Sequence, residues 1–178
     1  MTRRICLAAT LALLMAAACD KPKPRHPPPD PMAVAPPPAP GVAPPRQGLS
    51  AGLARRTELA GFSIDSIGPA QDPLNHQPAL VPAGQPLAIM GFGFDPVVKA
   101  PAQGVDLVID GKTYGTDYGA PRPDVAAYFK TPILTPTGYK VTIPAGTLAP
   151  GPHRAMVRVV SSDGASYFDG LKIAFVVK

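Results

Sequence analysis

Tryptophan is absent from the 178 residues, and only two cysteines and three histidines are present. Both cysteines, Cys6 and Cys19, lie within the first nineteen residues, so the rest of the chain can hold neither a disulfide nor a thiolate metal site. The folded part must draw its stability from an apolar core. A basic face is missing too. The formal net charge is +5, yet from Gly61 to Lys178 nine Lys or Arg are balanced by nine Asp. The excess belongs to the N-terminal third, which argues against a nucleic-acid footprint and for attraction to anionic lipid or wall polymer. Signatures of catalysis are also lacking. No Gly-x-Ser-x-Gly elbow, His-Glu-x-x-His pair or phosphate-cradling loop occurs. Gly91-Phe92-Gly93-Phe94-Asp95-Pro96 begins like a dinucleotide loop, but Pro96 stands where the third glycine belongs, so it reads as a turn. Asp110, Asp117 and Asp124 lack the alternation and bidentate Glu of a calcium loop and read as turn formers.

Proline is plentiful and uneven: twelve of the 26 fall between Pro22 and Pro45. That density excludes helix and central strand and defines a linker. Ahead of it, Arg3 and Arg4 precede an apolar run of fourteen residues, Ile5 to Ala18, with small residues before Cys19. This is the layout of a secretory signal, and it is shorter than the roughly twenty residues of a spanning helix. Ala16-Ala17-Ala18-Cys19 resembles a bacterial lipobox, with Ala16 where that family prefers Leu. The resemblance implies cleavage before Cys19 and lipidation of Cys19. The alternative is an ordinary Ala-x-Ala cleavage that leaves a free thiol. A proline-rich spacer would hold an anchored domain clear of the headgroups, and Lys21, Lys23 and Arg25 either attract an anionic leaflet or keep the spacer soluble. The expected organisation is a signal peptide over residues 1–18, a linker over 19–60 with a short helix over Ser50 to Ala60, and one folded domain over 61–178.

From Gly61 onward, short runs rich in Val, Ile, Phe and Tyr alternate with Gly, Pro and Asp, the pattern of an all-β antiparallel sandwich. Seven strands are expected: Phe62 to Ile67, Leu87 to Phe92, Val105 to Asp110, Lys112 to Asp117, Tyr139 to Ile143, Arg154 to Ser161 and Leu171 to Val177. Val105, Leu107 and Ile109 point one way against Asp106 and Asp110, and Leu171, Ile173, Phe175 and Val177 point one way against Lys172. Asp110-Gly111 and Asp163-Gly164 are tight-turn dipeptides, and Asp169-Gly170 reads as a bulge or a small secondary turn.

The long connection Tyr118-Gly-Ala-Pro-Arg122-Pro-Asp-Val-Ala-Ala-Tyr-Phe129 is expected to carry a short helical turn. Pro123 opens it, Asp124 favours its N-terminus, and Phe129 is expected to enter the core. With GFGFDP upstream, Gly138-Tyr139 downstream and Leu148-Ala-Pro-Gly-Pro-His153 before a Val-rich strand, this stretch resembles an immunoglobulin-like accessory domain of bacterial envelope proteins. Arg-Pro-Asp-Val-Ala is the most specific part of that resemblance, which covers Phe62 to Val177. Phe92 stands where tryptophan belongs, and no catalytic neighbour is attached. The resemblance implies an immunoglobulin-like sandwich and no particular chemistry.

The reading that follows is a lipid-anchored, periplasm-facing binding or scaffolding module without catalysis, cofactor or metal, and without nucleic acid as a partner. Its partners would be the membrane, through the N-terminal lipid, and an envelope protein or glycan; which of the two membranes is left open. Candidate binding residues are Arg122, Asp124, Tyr114, Tyr118 and Tyr128, the tyrosines offering a small sugar-stacking platform. One rival is a carbohydrate or wall-polymer module. Another is a small hydrolase, which requires His76 or His153 within hydrogen-bond reach of an Asp and a Ser.

Overall fold

The computed structural model describes residues 43–178; Cys19, the lipobox and most of the proline-rich stretch lie outside them. Twelve strands occur among the described residues, namely β1 (Ala54–Arg55), β2 (Gly61–Ile67), β3 (Ala70–Gln71), β4 (Ala79–Val81), β5 (Leu87–Asp95), β6 (Ala100–Pro101), β7 (Gly104–Ile109), β8 (Lys112–Gly115), β9 (Asp117–Ala120), β10 (Gly138–Ile143), β11 (Gly151–Val160) and β12 (Ser166–Val177). Between β9 and β10 lie one helix, α1 (Pro123–Tyr128), and a 3-10 turn, Pro132–Leu134. The strands form two sheets, β1-β12-β11-β7-β8 with β4 also on β12, and β3-β2-β5-β10-β9 with β6 also on β5. Pairing is antiparallel except where β1 and β4 run parallel to β12. The described residues form a β-sandwich with one short helix.

The period-2 faces form its core. Val105, Leu107 and Ile109 of β7 and Val157 and Val159 of β11 meet Ile64, Ile89, Val141 and Ile143 from the other sheet, all buried. Each such side chain contributes about 1.5–3 kcal/mol on leaving water. Asp110 (φ 48°) and Gly111 (φ 86°) both take the left-handed conformation, as a two-residue hairpin between β7 and β8 demands.

Six of the seven expected strands are present, and several local expectations are corrected. β5 continues through Gly91-Phe92-Gly93-Phe94 to Asp95, so the turn begins only at Pro96. Pro96 cannot donate to a ladder, and the Asp95 carboxylate instead accepts the N–H groups of Val97 (2.9 Å) and Val98 (3.2 Å). The strand expected over Lys112 to Asp117 is divided between the sheets. At the break, the Thr116 hydroxyl donates to the Val105 carbonyl (2.7 Å) while β8 stays in one sheet and β9 joins the other. Leu171 is 53% exposed, since Gly170 and Leu171 together oppose Val157 in a bulge that turns Leu171 outward. Phe129 is also exposed, at 40%; Val125 and Ala126 are the residues of α1 that are buried.

The largest departure concerns residues 46–60. No helix forms over Ser50 to Ala60; Gly52 (φ 79°) makes a turn there, and the chain continues into β1. Arg46 bridges Gly115, and the N–H groups of Leu49 (2.9 Å) and Ser50 (2.8 Å) donate to the Asp106 carboxylate. These residues form a strap across the outer face of the β7 sheet, so the packed domain begins before Gly61. Asp106, on the face expected to meet solvent, is buried beneath the strap. Gly48 permits the approach, because a Cβ there would lie 2.9 Å from Asp106 Oδ2 and closer still to Thr113.

Candidate functional site

Arg122 stands at the N-cap position of α1, where its backbone N–H donates to the Thr135 carbonyl (2.6 Å) and Pro123 opens the helix. Its guanidinium forks onto Asp124, with Nε 2.9 Å from Oδ1 and Nη2 2.6 Å from Oδ2. Nη1 reaches back to Asp65 Oδ2 on β2 (2.6 Å), and the guanidinium carbon lies 5.3 Å from the centre of the Phe92 ring. One planar cation thus ties the long connection to both β2 and β5, a task that suits its rigid set of donors. Hydrogen bonding to Arg122 holds the Asp124 carboxyl down at about 2. Reciprocally, Asp124 foremost raises the Arg122 pKa, and both charges stay fixed over any ordinary pH range.

The candidate tyrosines separate. Tyr114 is buried in the core. Tyr118 is half-buried and bridges backbone groups, donating to the Gly93 carbonyl (2.8 Å) and accepting from the Ala102 N–H (3.0 Å), and burial pushes its pKa up to about 12. Neither is free to stack on a sugar. Tyr128 alone of the three is open, at 81% exposure, with its ring edge-on to Phe129 at 5.0 Å. Phe129 packs on Phe94 (4.9 Å), which stacks with Phe92 (6.2 Å). An aromatic series therefore runs from the Arg122 clamp to an exposed end. Val97, Val98 and Ile133, exposed at the same end, are missed by sequence reasoning. The available signal is an apolar pair directly after the turn-forming Asp95-Pro96.

A second feature is a groove of about 800 Å³ on the part of the β7 sheet face that the strap leaves open, with Val108 and Met156 in its floor and Leu59, Leu171, Arg154 and Lys172 around them. Its acids are already engaged. Asp169 accepts from Arg55 (2.8 Å) and Arg158 (2.7 Å), Glu58 pairs with Arg56 (2.9 Å), and Asp110 pairs with His153 (2.6 Å). The side chains of Arg154 and Lys172 have no carboxylate partner among the described residues, which leaves the groove able to attract anions.

His153 closes one end of β11. Its Nδ1 meets Asp110 Oδ2 (2.6 Å) and its Nε2 meets the Ala149 carbonyl (2.7 Å). Both nitrogens face acceptors, so both must donate, and no nitrogen remains for a serine. His76 lies in an exposed loop, with Nδ1 3.1 Å from the Asp72 carbonyl. Burial opposes the His153 charge and is outweighed by the Ala149 carbonyl and the Asp110 carboxylate, so the His153 pKa is raised. A raised folded-state pKa stabilises fully below the unfolded value, about 6.5, and that stabilisation disappears as pH rises through the folded value. The Asp110 pKa is lowered; burial opposes its charge, and hydrogen bonds from His153 and the Arg154 N–H overcome it. Its contribution is therefore lost in acid. The melting temperature of the parent is expected to be highest in mildly acidic solution and to fall toward alkaline pH, a slope that His153→Gln removes. Identical slopes for the two proteins would refute the ion pair.

Among the described residues, no three His, Cys, Asp or Glu side chains stand close enough to hold a metal ion. Comparison with protein-family models, curated proteins and solved structures finds no match.

Proposed function

We propose that this protein is a lipid-anchored, non-catalytic binding or scaffolding module of the bacterial cell envelope, facing the periplasm. The Ala16 to Cys19 stretch supports the anchor, and the following prolines support an extended spacer between that anchor and the sandwich. The observation that carries the binding role is the exposed aromatic end built on the Arg122 clamp. A rigid platform presenting Tyr128 and Phe129 to solvent is costly to maintain without a partner and is typical of contact surfaces. Cys19→Ser is expected to abolish fatty-acid labelling of the chain and to release it from the membrane fraction. Unchanged labelling of the variant would sink the anchor. The groove beside Arg154 and Lys172 favours a second reading, an anionic wall-polymer module. Copurification of the anchored chain from its native envelope separates the two, since the second reading requires a glycan polymer to come with it.

A further inference from the structure

Ten large hydrophobic side chains are exposed among the described residues, and five of them, Val97, Val98, Tyr128, Phe129 and Ile133, belong to two neighbouring loops. The first joins β5 to β6; the second runs from Tyr128, the last residue of α1, into the 3-10 turn that contains Ile133. They share one end of the sandwich, because β6 packs beside the 3-10 turn and Phe94, the residue before Asp95, holds the Phe129 ring at 4.9 Å. The loops also share a form. Each is an exposed apolar pair followed by a lysine in the left-handed conformation, Val97-Val98-Lys99 (φ 50°) and Tyr128-Phe129-Lys130 (φ 52°). Residues with a Cβ seldom adopt that conformation, and here it occurs at two adjacent turns, each placing an ammonium beside an apolar pair. The nearby acids do not oppose these cations. Asp95 is buried and turned inward onto the N–H groups of Val97, Val98 and Ser162, and Asp124 is clamped by Arg122.

We propose that this end of the sandwich is a membrane-contact surface for an anionic bilayer. Val97, Val98, Phe129 and Ile133 enter the boundary between headgroups and acyl chains, the Tyr128 hydroxyl stays at headgroup level, and Lys99 and Lys130 meet lipid phosphates. Apolar side chains flanked by an amphipathic ring and by lysines with flexible stems match the chemistry of that boundary. The inference rests on the anchored reading, which brings the bilayer near. The stretch from Cys19 to Ala43 can extend to at most roughly 80 Å, enough for anchor and sandwich to touch the same bilayer.

The chain contains no tryptophan, so Tyr128→Trp makes a full-length protein with a single indole at an exposed position. This protein is reconstituted in vesicles of phosphatidylcholine with phosphatidylglycerol, and its emission is read with and without bromine on the lipid acyl chains. The expected result is a blue-shifted emission that the brominated lipid quenches. Adding Lys99→Glu and Lys130→Glu is expected to lower the bound-to-free ratio of this end about fivefold for each lysine charge removed. An indole that emits as in water, while the chain remains with the vesicles, overturns the proposal. So does a blue-shifted indole that brominated lipid leaves unquenched, the outcome for a second copy or another protein on this surface. Failure of the anchored reading is seen separately, as chain without acyl label that does not sediment with the vesicles.

Discussion

Asp106→Ala is expected to destabilise the protein by about 3–6 kcal/mol, from the loss of two hydrogen bonds to a buried charge at about 1.5–3 kcal/mol each. Asp106 is fully buried, and its two oxygens accept the N–H groups of Leu49 and Ser50, which alanine would leave without partners. Besides these bonds, this part of the strap is held by the Gly115 N–H donating to the Arg46 carbonyl (2.8 Å). The Arg46 to Asp117 ion pair (3.2 Å) is exposed on both sides, and such a pair is worth under about 1 kcal/mol. The melting temperature should fall by roughly 10–20 °C, and proteolysis within residues 43–56 should accelerate at temperatures well below melting. Asp106→Asn keeps one acceptor and turns an amide N–H toward the other donor, so it should recover only part of the loss. Melting of Asp106→Ala within a degree or two of the parent, with unchanged proteolysis, would show that the strap is not held by this carboxylate. By the same reasoning a chain beginning at Gly61 should be less stable than the parent, because it lacks both the donors to Asp106 and strand β1.

Arg122→Ala is expected to cost about 2 kcal/mol, between the values for exposed and buried ion pairs. The Arg122 side chain is 21% exposed, but its partners Asp65 and Asp124 are 38% and 62% exposed, and water would recover part of what they lose. The cost is raised above that of a surface pair by the fork geometry and by the contact with Phe92. The melting temperature should fall by roughly 5–10 °C. Arg122→Lys restores a charge but cannot bond Asp124 through two nitrogens, so its recovery should be partial. Because the clamp sets the position of α1, the exposed end should suffer with it: amide exchange over residues 121–135 should accelerate more than exchange in β7 or β11. Uniform acceleration across the domain would mean that Arg122 contributes only general stability.

Much of the fold was readable from short stretches of chain. Val105, Leu107 and Ile109 alternate with Asp106 and Val108, and those three enter the core as the period requires, although every residue of β7 is buried. Pro123 and Asp124 open α1 as their own preferences require, and Asp110-Gly111 turns the chain with the conformation that pair favours. Elsewhere an equally local signal misled. Leu171 continues the apolar period of β12, yet one extra residue in the bulge points it to solvent. Phe129 has the greater hydrophobicity, but Val125 sits on the side of α1 that meets Phe94 and Leu134.

The sequence by itself determined the elements whose causes lie within a few residues: strand faces with period 2, tight turns at Asp-Gly, and a proline-opened helix. Only the tertiary structure decided the rest. The donors to Asp106 lie 56 and 57 residues away, the Asp65 partner of Arg122 lies 57 away, and Tyr118 finds its Gly93 carbonyl 25 away. Whether a polar face is covered, whether a tyrosine is open, and whether two short loops combine into one apolar end all depend on which surfaces the two sheets bring together. Burial and long-range hydrogen bonding are properties of that packing, whereas a residue's conformational preference is carried by the residue and its immediate neighbours.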